Sequence, residues 1–164
     1  MQFQIGETLV YPHHGAVTVT ALQSRHENGV EIHYMTLEVH ASELTIQLPV
    51  ANFELVGVRS IIDVQGVADV FQVLRDEYVE EAGNWSRRFK ANQEKMASGN
   101  VFRVSEVVRD LWHRDQEKGV SAGEKRLLEK ALRVLVSELA LAQNLTESEA
   151  SDALINALKS SAIG

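Results

Sequence analysis

At 164 residues, with 45% of them apolar, the chain can bury one medium core or two small ones and is expected to be globular rather than disordered. The absence of cysteine excludes a disulfide framework, a thiolate zinc site and a cysteine nucleophile, and no run approaches the eighteen or so apolar residues of a membrane span. The net charge of −7 conceals a basic island: Trp85 to Arg133 holds twelve Lys/Arg against seven Asp/Glu, while residues 1–84 sum to −9 and residues 134–164 to −3, so the acidic average does not exclude nucleic acid.

Met1–Ile5 carries neither a basic segment nor a long apolar stretch of the kind that directs export, and a cytoplasmic protein is expected. The first sixty residues then alternate short β-branched and aromatic runs with turn residues: Thr8–Tyr11, the Pro12-His13-His14-Gly15 turn, Ala16–Leu22, Asn28-Gly29, Ile32–Val39 and Leu44–Leu48. Four or five strands in so little chain predict a small antiparallel barrel or curled sheet. Asn28-Gly29 marks a hairpin, because both central residues of a type I′ turn need positive φ.

From about residue 61 the period becomes helical. Asp63 is placed to cap Val64–Arg75, with Val67, Val70, Phe71 and Leu74 on one face. Glu77–Gly83 interrupts the pattern, and Trp85–Met96 resumes it. A further helix is predicted from about Val101, with Val104, Val107, Val108 and Leu111 as its stripe and Gly119 at its end. Ser121-Ala122-Gly123-Glu124 has the spacing of a capping box ahead of Leu127, Leu128, Ala131 and Leu135, and Thr146-Glu147-Ser148-Glu149 repeats it before Ala153–Leu158. A β-rich module precedes a helical one.

Chemistry-bearing patterns are sparse. Six histidines include the adjacent His13 and His14, but neighbouring strand residues face opposite ways, and no His-Glu-x-x-His or comparable ligand run exists, so no metal or other cofactor is expected. No Gly-rich phosphate loop, nucleophile elbow or paired carboxylates in apolar sequence point to an enzyme. Trp112 adjoins Leu111 at the edge of the Val104/Val107/Val108 stripe and reads as a core or domain-contact residue. Trp85 stands at a helix start among polar neighbours with only Phe89 as an apolar partner four residues on, which leaves both a packed and an exposed role open. Part of the cationic run, Glu124 to Lys130, reads as a solvated face with i,i+4 ion pairs. Arg87, Arg88 and Lys90 have only Glu94 nearby in sequence and are better placed for phosphates.

Order and spacing along both modules carry a resemblance. Gly6-Glu7-Thr8, Val10-Tyr11-Pro12-His13-His14-Gly15, Val56-Gly57-Val58-Arg59, Val70-Phe71-Gln72-Val73-Leu74-Arg75, Asn84-Trp85-Ser86-Arg87-Arg88, Lys90-Ala91-Asn92, Ala97-Ser98-Gly99, Glu106-Val107-Val108-Arg109-Asp110-Leu111-Trp112 and Ser121-Ala122-Gly123-Glu124-Lys125-Arg126 all match. From Phe3 to about residue 142 the chain resembles the CarD/CdnL family of bacterial transcription regulators, particularly its actinobacterial CarD members. The resemblance implies an α+β protein. A Tudor-like antiparallel β module over residues 1–60, shared with the transcription-repair coupling factor, would bind the β subunit of RNA polymerase. An all-α domain over residues 61–164 would contact promoter DNA at the upstream edge of the melted region, largely independently of sequence.

On the same resemblance Trp85 would wedge into the minor groove, and Arg87, Lys90, Arg114 and Lys125 would lie near the DNA backbone. The residue pattern adds Arg88 to that set. The polymerase contact would fall on Arg25 and on Gln47, where related proteins place a second arginine; Gln47 can hydrogen-bond but cannot form a bidentate ion pair with a carboxylate. No reaction, cofactor or membrane association is implied, and a monomer is expected. The tail after about residue 143 resembles the family only loosely and is assigned no function. Two rival readings are a protein-only adaptor for polymerase or a repair factor, whose basic island is merely solvated, and a histidine-based metal enzyme.

Overall fold

The computed structural model describes residues 3–78 and 84–161. Five antiparallel strands form one sheet: β1 Thr8–Tyr11, β2 Gly15–Glu27, β3 Val30–Val39, β4 Thr45–Pro49 and β5 Arg59–Ser60, in the order β4-β3-β2-β1-β5. Asn28 (φ 52°) and Gly29 (φ 78°) join β2 to β3, both in the left-handed region that a type I′ turn demands. β2 runs five residues beyond the predicted end at Leu22. From there to Val30 every residue is exposed, so the hairpin arm stands on backbone pairing past the core and its apolar alternation fades. Leu9, Val17, Val19, Met35, Leu37, Val39 and Leu48 close one face over Phe53, from the short helix α1 Phe53–Val56, and over Val58.

Five longer helices follow, and each begins at a side chain that accepts a backbone N–H, which relieves one of the unpaired donors of the first turn. Asp63 caps α2 (Val64–Arg75), Asn84 caps α3 (Trp85–Ala97) and Asn100 caps α4 (Val101–Glu117). Ser121 with Glu124 and Thr146 with Glu149 form complete capping boxes on α5 (Ala122–Gln143) and α6 (Glu147–Lys159). Gly119, at φ 80°, follows the end of α4 as predicted. The interruption expected over Glu77–Gly83 begins as non-helical chain at Glu77 and Tyr78, and its remainder lies outside the described residues. The order of sheet and helices is the expected α+β arrangement.

Val70, Leu74, Val107, Val108, Leu111, Ala131, Leu135 and Leu139 make the helical core, and Ala150, Leu154 and Leu158 of α6 are fully buried in it. The tail, given no function from sequence but a capped helix, is therefore a wall of this core. Trp112 packs against it half-buried, as its stripe position predicts.

Sheet and helices are clamped together. Arg59 of β5 donates through Nη1 and Nη2 to the two carboxylate oxygens of Glu138 on α5, both at 2.7 Å, and through Nε to the Gly99 carbonyl at 3.0 Å. The Glu138 side chain is almost fully enclosed and also accepts from the Ile62 amide. Beside it, Gly99 (φ 68°) lets the chain pass so near Pro12 that a Cβ would stand 3.0 Å from the proline ring.

Candidate nucleic-acid interface

The first turns of α3 and α5 lie side by side, and the residues that cap α5 also hold α3. Trp85 Nε1 donates to Ser121 Oγ at 2.8 Å, and the same oxygen accepts the Glu124 amide at 3.1 Å. The indole stacks on Phe89, with ring centroids 5.3 Å apart and planes 9° apart, and Phe89 rests against Gly123. Trp85 remains 46% exposed. The two roles left open by the sequence are thus combined: one face of the ring is packed and its N–H satisfied, while much of its apolar surface meets solvent.

Glu124 explains the rigidity of this corner. Its carboxylate takes Arg88 Nε at 2.9 Å and Nη2 at 3.4 Å, together with the Ser121 amide at 3.3 Å. Burial pushes the Glu124 carboxyl up, but the Arg88 and Ser121 bonds and the Arg88 charge outweigh it, and the net pKa is lowered from 4.5. The segment read from sequence as a solvated face with i,i+4 pairs accordingly begins with a buried carboxylate whose partner lies on another helix.

The candidate DNA residues are not equivalent in placement. Arg87 and Lys90 are exposed, and among the described residues neither side chain has a hydrogen bond or ion pair. Lys125 is largely exposed and, among the described residues, makes only a 3.4 Å contact with Asp115. Arg88 is turned inward to Glu124, with little of its side chain exposed. Arg114 lies half-buried in the last turn of α4, where it shares a water-sized pocket with Arg88, Asn92, Lys95 and Asp110. Trp85, Arg88 and Lys125 therefore lie around the joined starts of α3 and α5, with Arg114 on the inner side of Arg88, while Arg87 and Lys90 are exposed on the first two turns of α3. Phe89, the apolar partner read from the sequence, stacks on Trp85 as expected, whereas sequence reading missed Ser121 and Glu124 as supports of this group. The capping-box spacing at Ser121 was the available signal, but it indicates only a helix start.

Arg25 and Gln47 belong to the sheet and meet there. Arg25 Nη2 donates to Gln47 Oε1 at 3.1 Å across the intervening strand β3, with its guanidinium 4.9 Å from the centre of the Tyr34 ring. Tyr34 in turn donates to Glu27. His40 pairs with Thr18 and His33 with Ser24, and among the described residues no group of three or more His, Asp or Glu side chains is arranged to hold a metal. No described helix is long and apolar enough to cross a membrane.

Both modules match known protein families. Residues 3–62 match the family described as the CarD-like/TRCF RID domain, and residues 69–155 match the CarD C-terminal domain. A Bacillus subtilis (strain 168) protein named "Putative transcription factor YdeB" is 29% identical over 147 residues, covering 90% of this chain and 96% of that protein. With more than half of its length matched to the C-terminal domain and the preceding sheet matched to its partner domain, the chain belongs to the CarD family.

Proposed function

We propose that this protein is a non-enzymatic transcription regulator that binds the RNA polymerase β subunit through its sheet and stabilises the promoter open complex through its helices. Residues 1–60 act as the polymerase-interaction domain, with Arg25 and Gln47 at the contact, and residues 61–164 as the DNA-binding domain. The observation that carries this reading is Trp85: it is half exposed, yet fixed by the Phe89 stack and the Ser121 hydrogen bond, and it shares the start of α3 with the exposed Arg87 and Lys90, which have no side-chain partner among the described residues. An aromatic ring held in place loses little rotamer freedom on docking. Its open face offsets part of the few kcal/mol needed to unstack a base step in the minor groove, so a melted or kinked junction binds better than intact duplex.

Arg87, Lys90 and Lys125 meet phosphates directly, and Arg114 adds charge from behind. Arg88 acts on the DNA through its hold on Glu124. Each ~1.4 kcal/mol of preference for the open complex multiplies its population about tenfold. A net charge of −7 keeps affinity for free DNA low, and attachment to polymerase supplies the local concentration that the helical domain lacks alone. The protein works in the cytoplasm as a monomer and without a cofactor.

The test is the lifetime of preformed open complexes with cognate polymerase under competitor challenge, with no addition, with the protein and with Trp85→Ala. The expected result is a longer lifetime that shortens when Trp85 is lost. An unchanged lifetime with the intact protein bound to polymerase would overturn the open-complex mechanism in favour of a protein-only adaptor.

A further inference from the structure

The cations of the helical module divide by what they touch. Arg88, Lys95, Arg103, Arg109 and Lys125 all pair with carboxylates. Arg126, Lys130 and Arg133 have no side-chain hydrogen bond or ion pair among the described residues, and their i, i+4, i+7 spacing puts them along one face of α5. Glu129, the acidic residue near them on that helix, pairs with none of them. This row starts beside the Trp85 corner and ends at the sheet. There, Lys130 and Arg133 line a concave pocket of about 310 Å³ with His13, His14, Ser42 and Val134, and among the described residues no carboxylate lines it. His13 sits at φ 69°, a left-handed conformation unusual for a residue other than glycine, which shapes the turn over the pocket. Lys130 acts on both imidazoles, which burial and its charge keep below their ordinary pKa.

We propose that the His13/His14/Lys130/Arg133 pocket is a second phosphate-binding site, occupied by a phosphodiester of the duplex that the Trp85 corner engages. Arg126 bridges the two sites along α5. The inference rests on the DNA-binding reading above and extends it: at a rise of ~1.5 Å per residue, Ser121 and Arg133 are about 18 Å apart along the helix, roughly five base-pair steps of B-DNA. A concave site without carboxylates concentrates the field of its two cations on one anion, and the neutral imidazoles serve as N–H donors. DNA is favoured over a free anion because the row of cations continues from the pocket to the wedge.

The experiment uses the full chain and labelled fork-junction DNA at low salt, comparing the wild type, Lys130→Ala/Arg133→Ala and Trp85→Ala. Thermal unfolding of each variant serves as a check on folding. The double variant should flatten the dependence of log K on log salt by about 0.9, the contribution of the one phosphate the pocket holds. Trp85→Ala should weaken binding and leave that slope unchanged. A double variant with the wild-type slope, while Trp85→Ala still weakens binding, overturns the second site and leaves the wedge standing. If neither variant alters binding, the DNA reading falls and this inference with it. In a parallel titration, ring ¹⁵N signals of His13 and His14 should shift with DNA. A shift with inorganic phosphate but none with DNA would overturn the duplex as occupant and assign the pocket to a free anion.

Discussion

Arg88 and Glu124 are 36 residues apart in the chain, yet Arg88 Nε lies 2.9 Å from Glu124 Oε2, and that carboxylate is almost wholly enclosed. The pair fastens the start of α3 to the start of α5, and Trp85 stands directly on the joint through Ser121. A surface ring is thereby given the positional definition of a core residue.

Glu124→Ala should therefore cost about 3–5 kcal/mol in chemical denaturation, because it strands a partly buried guanidinium and removes one half of the capping box. In a Trp112→Phe background the emission of Trp85 should also shift to the red as the ring loosens. A double-mutant cycle with Arg88→Ala should show strong coupling, with the two losses far from additive. A loss below about 1 kcal/mol would mean that the corner is held by its apolar contacts alone.

The pH dependence of stability should have two windows. Glu124 is lowered from 4.5 in the folded protein, so its contribution is complete above that value and is lost as pH falls through the folded pKa. The stability difference between wild type and Glu124→Gln should accordingly shrink in acid below about 4.5. His13 and His14 are lowered from 6.5, chiefly by burial, and unfolding lets them take up protons; their effect on stability sets in as pH drops below 6.5. His13→Gln/His14→Gln should narrow the upper window to the share of His113, which burial also lowers from 6.5, and leave the lower window in place.

Local signals were legible in the sequence. Asp63, Ser121, Thr146, Asn28-Gly29 and Gly119 each specify a turn or cap within four residues of themselves, and each does so in the structure. The Phe89 partner of Trp85 was legible at i+4, but its polar support was not, because Ser121 lies 36 residues away and nothing in its spacing to Trp85 encodes the contact. For the same reason Arg88 looked as free as Arg87 and Lys90: a one-dimensional count of nearby acids cannot see Glu124. The clamp between Arg59 and Glu138, 79 residues apart, was likewise invisible, although each residue type was in plain view. The excess length of β2 escaped because an arm stabilised by backbone pairing leaves no apolar alternation to read.

If the proposed contact with the polymerase β lobe runs through Arg25 and Gln47, Gln47→Arg should strengthen it. Gln47 now accepts a hydrogen bond from Arg25 at 3.1 Å, which occupies part of the guanidinium that an acidic partner would engage. A second arginine would release Arg25, repel it, and offer two forks to carboxylates in place of one. The expected gain in affinity is about tenfold, or ~1.4 kcal/mol, read by titration with the isolated cognate lobe and reduced at high salt. Unchanged affinity would show that Gln47 lies outside the contact.

Arg59→Lys tests whether the clamp matters for more than stability. The guanidinium reaches both oxygens of Glu138, the Gly99 carbonyl and the Ser60 carbonyl at once, a fan of acceptors that one ammonium on a shorter stem cannot span. Lysine keeps the charge, so the carboxylate is not abandoned and the loss should be about 1–3 kcal/mol, smaller than for Glu138→Ala. Neither Arg59 nor Glu138 belongs to the proposed polymerase or DNA contacts. If the protein bridges the two partners as one rigid body, loosening this joint should leave affinity for the β lobe intact while shortening the open-complex lifetime, because the wedge would then be presented over a range of angles. A variant that loses stability but extends the lifetime as the wild type does would show that attachment alone suffices, and that the helical domain finds the fork without being aimed at it.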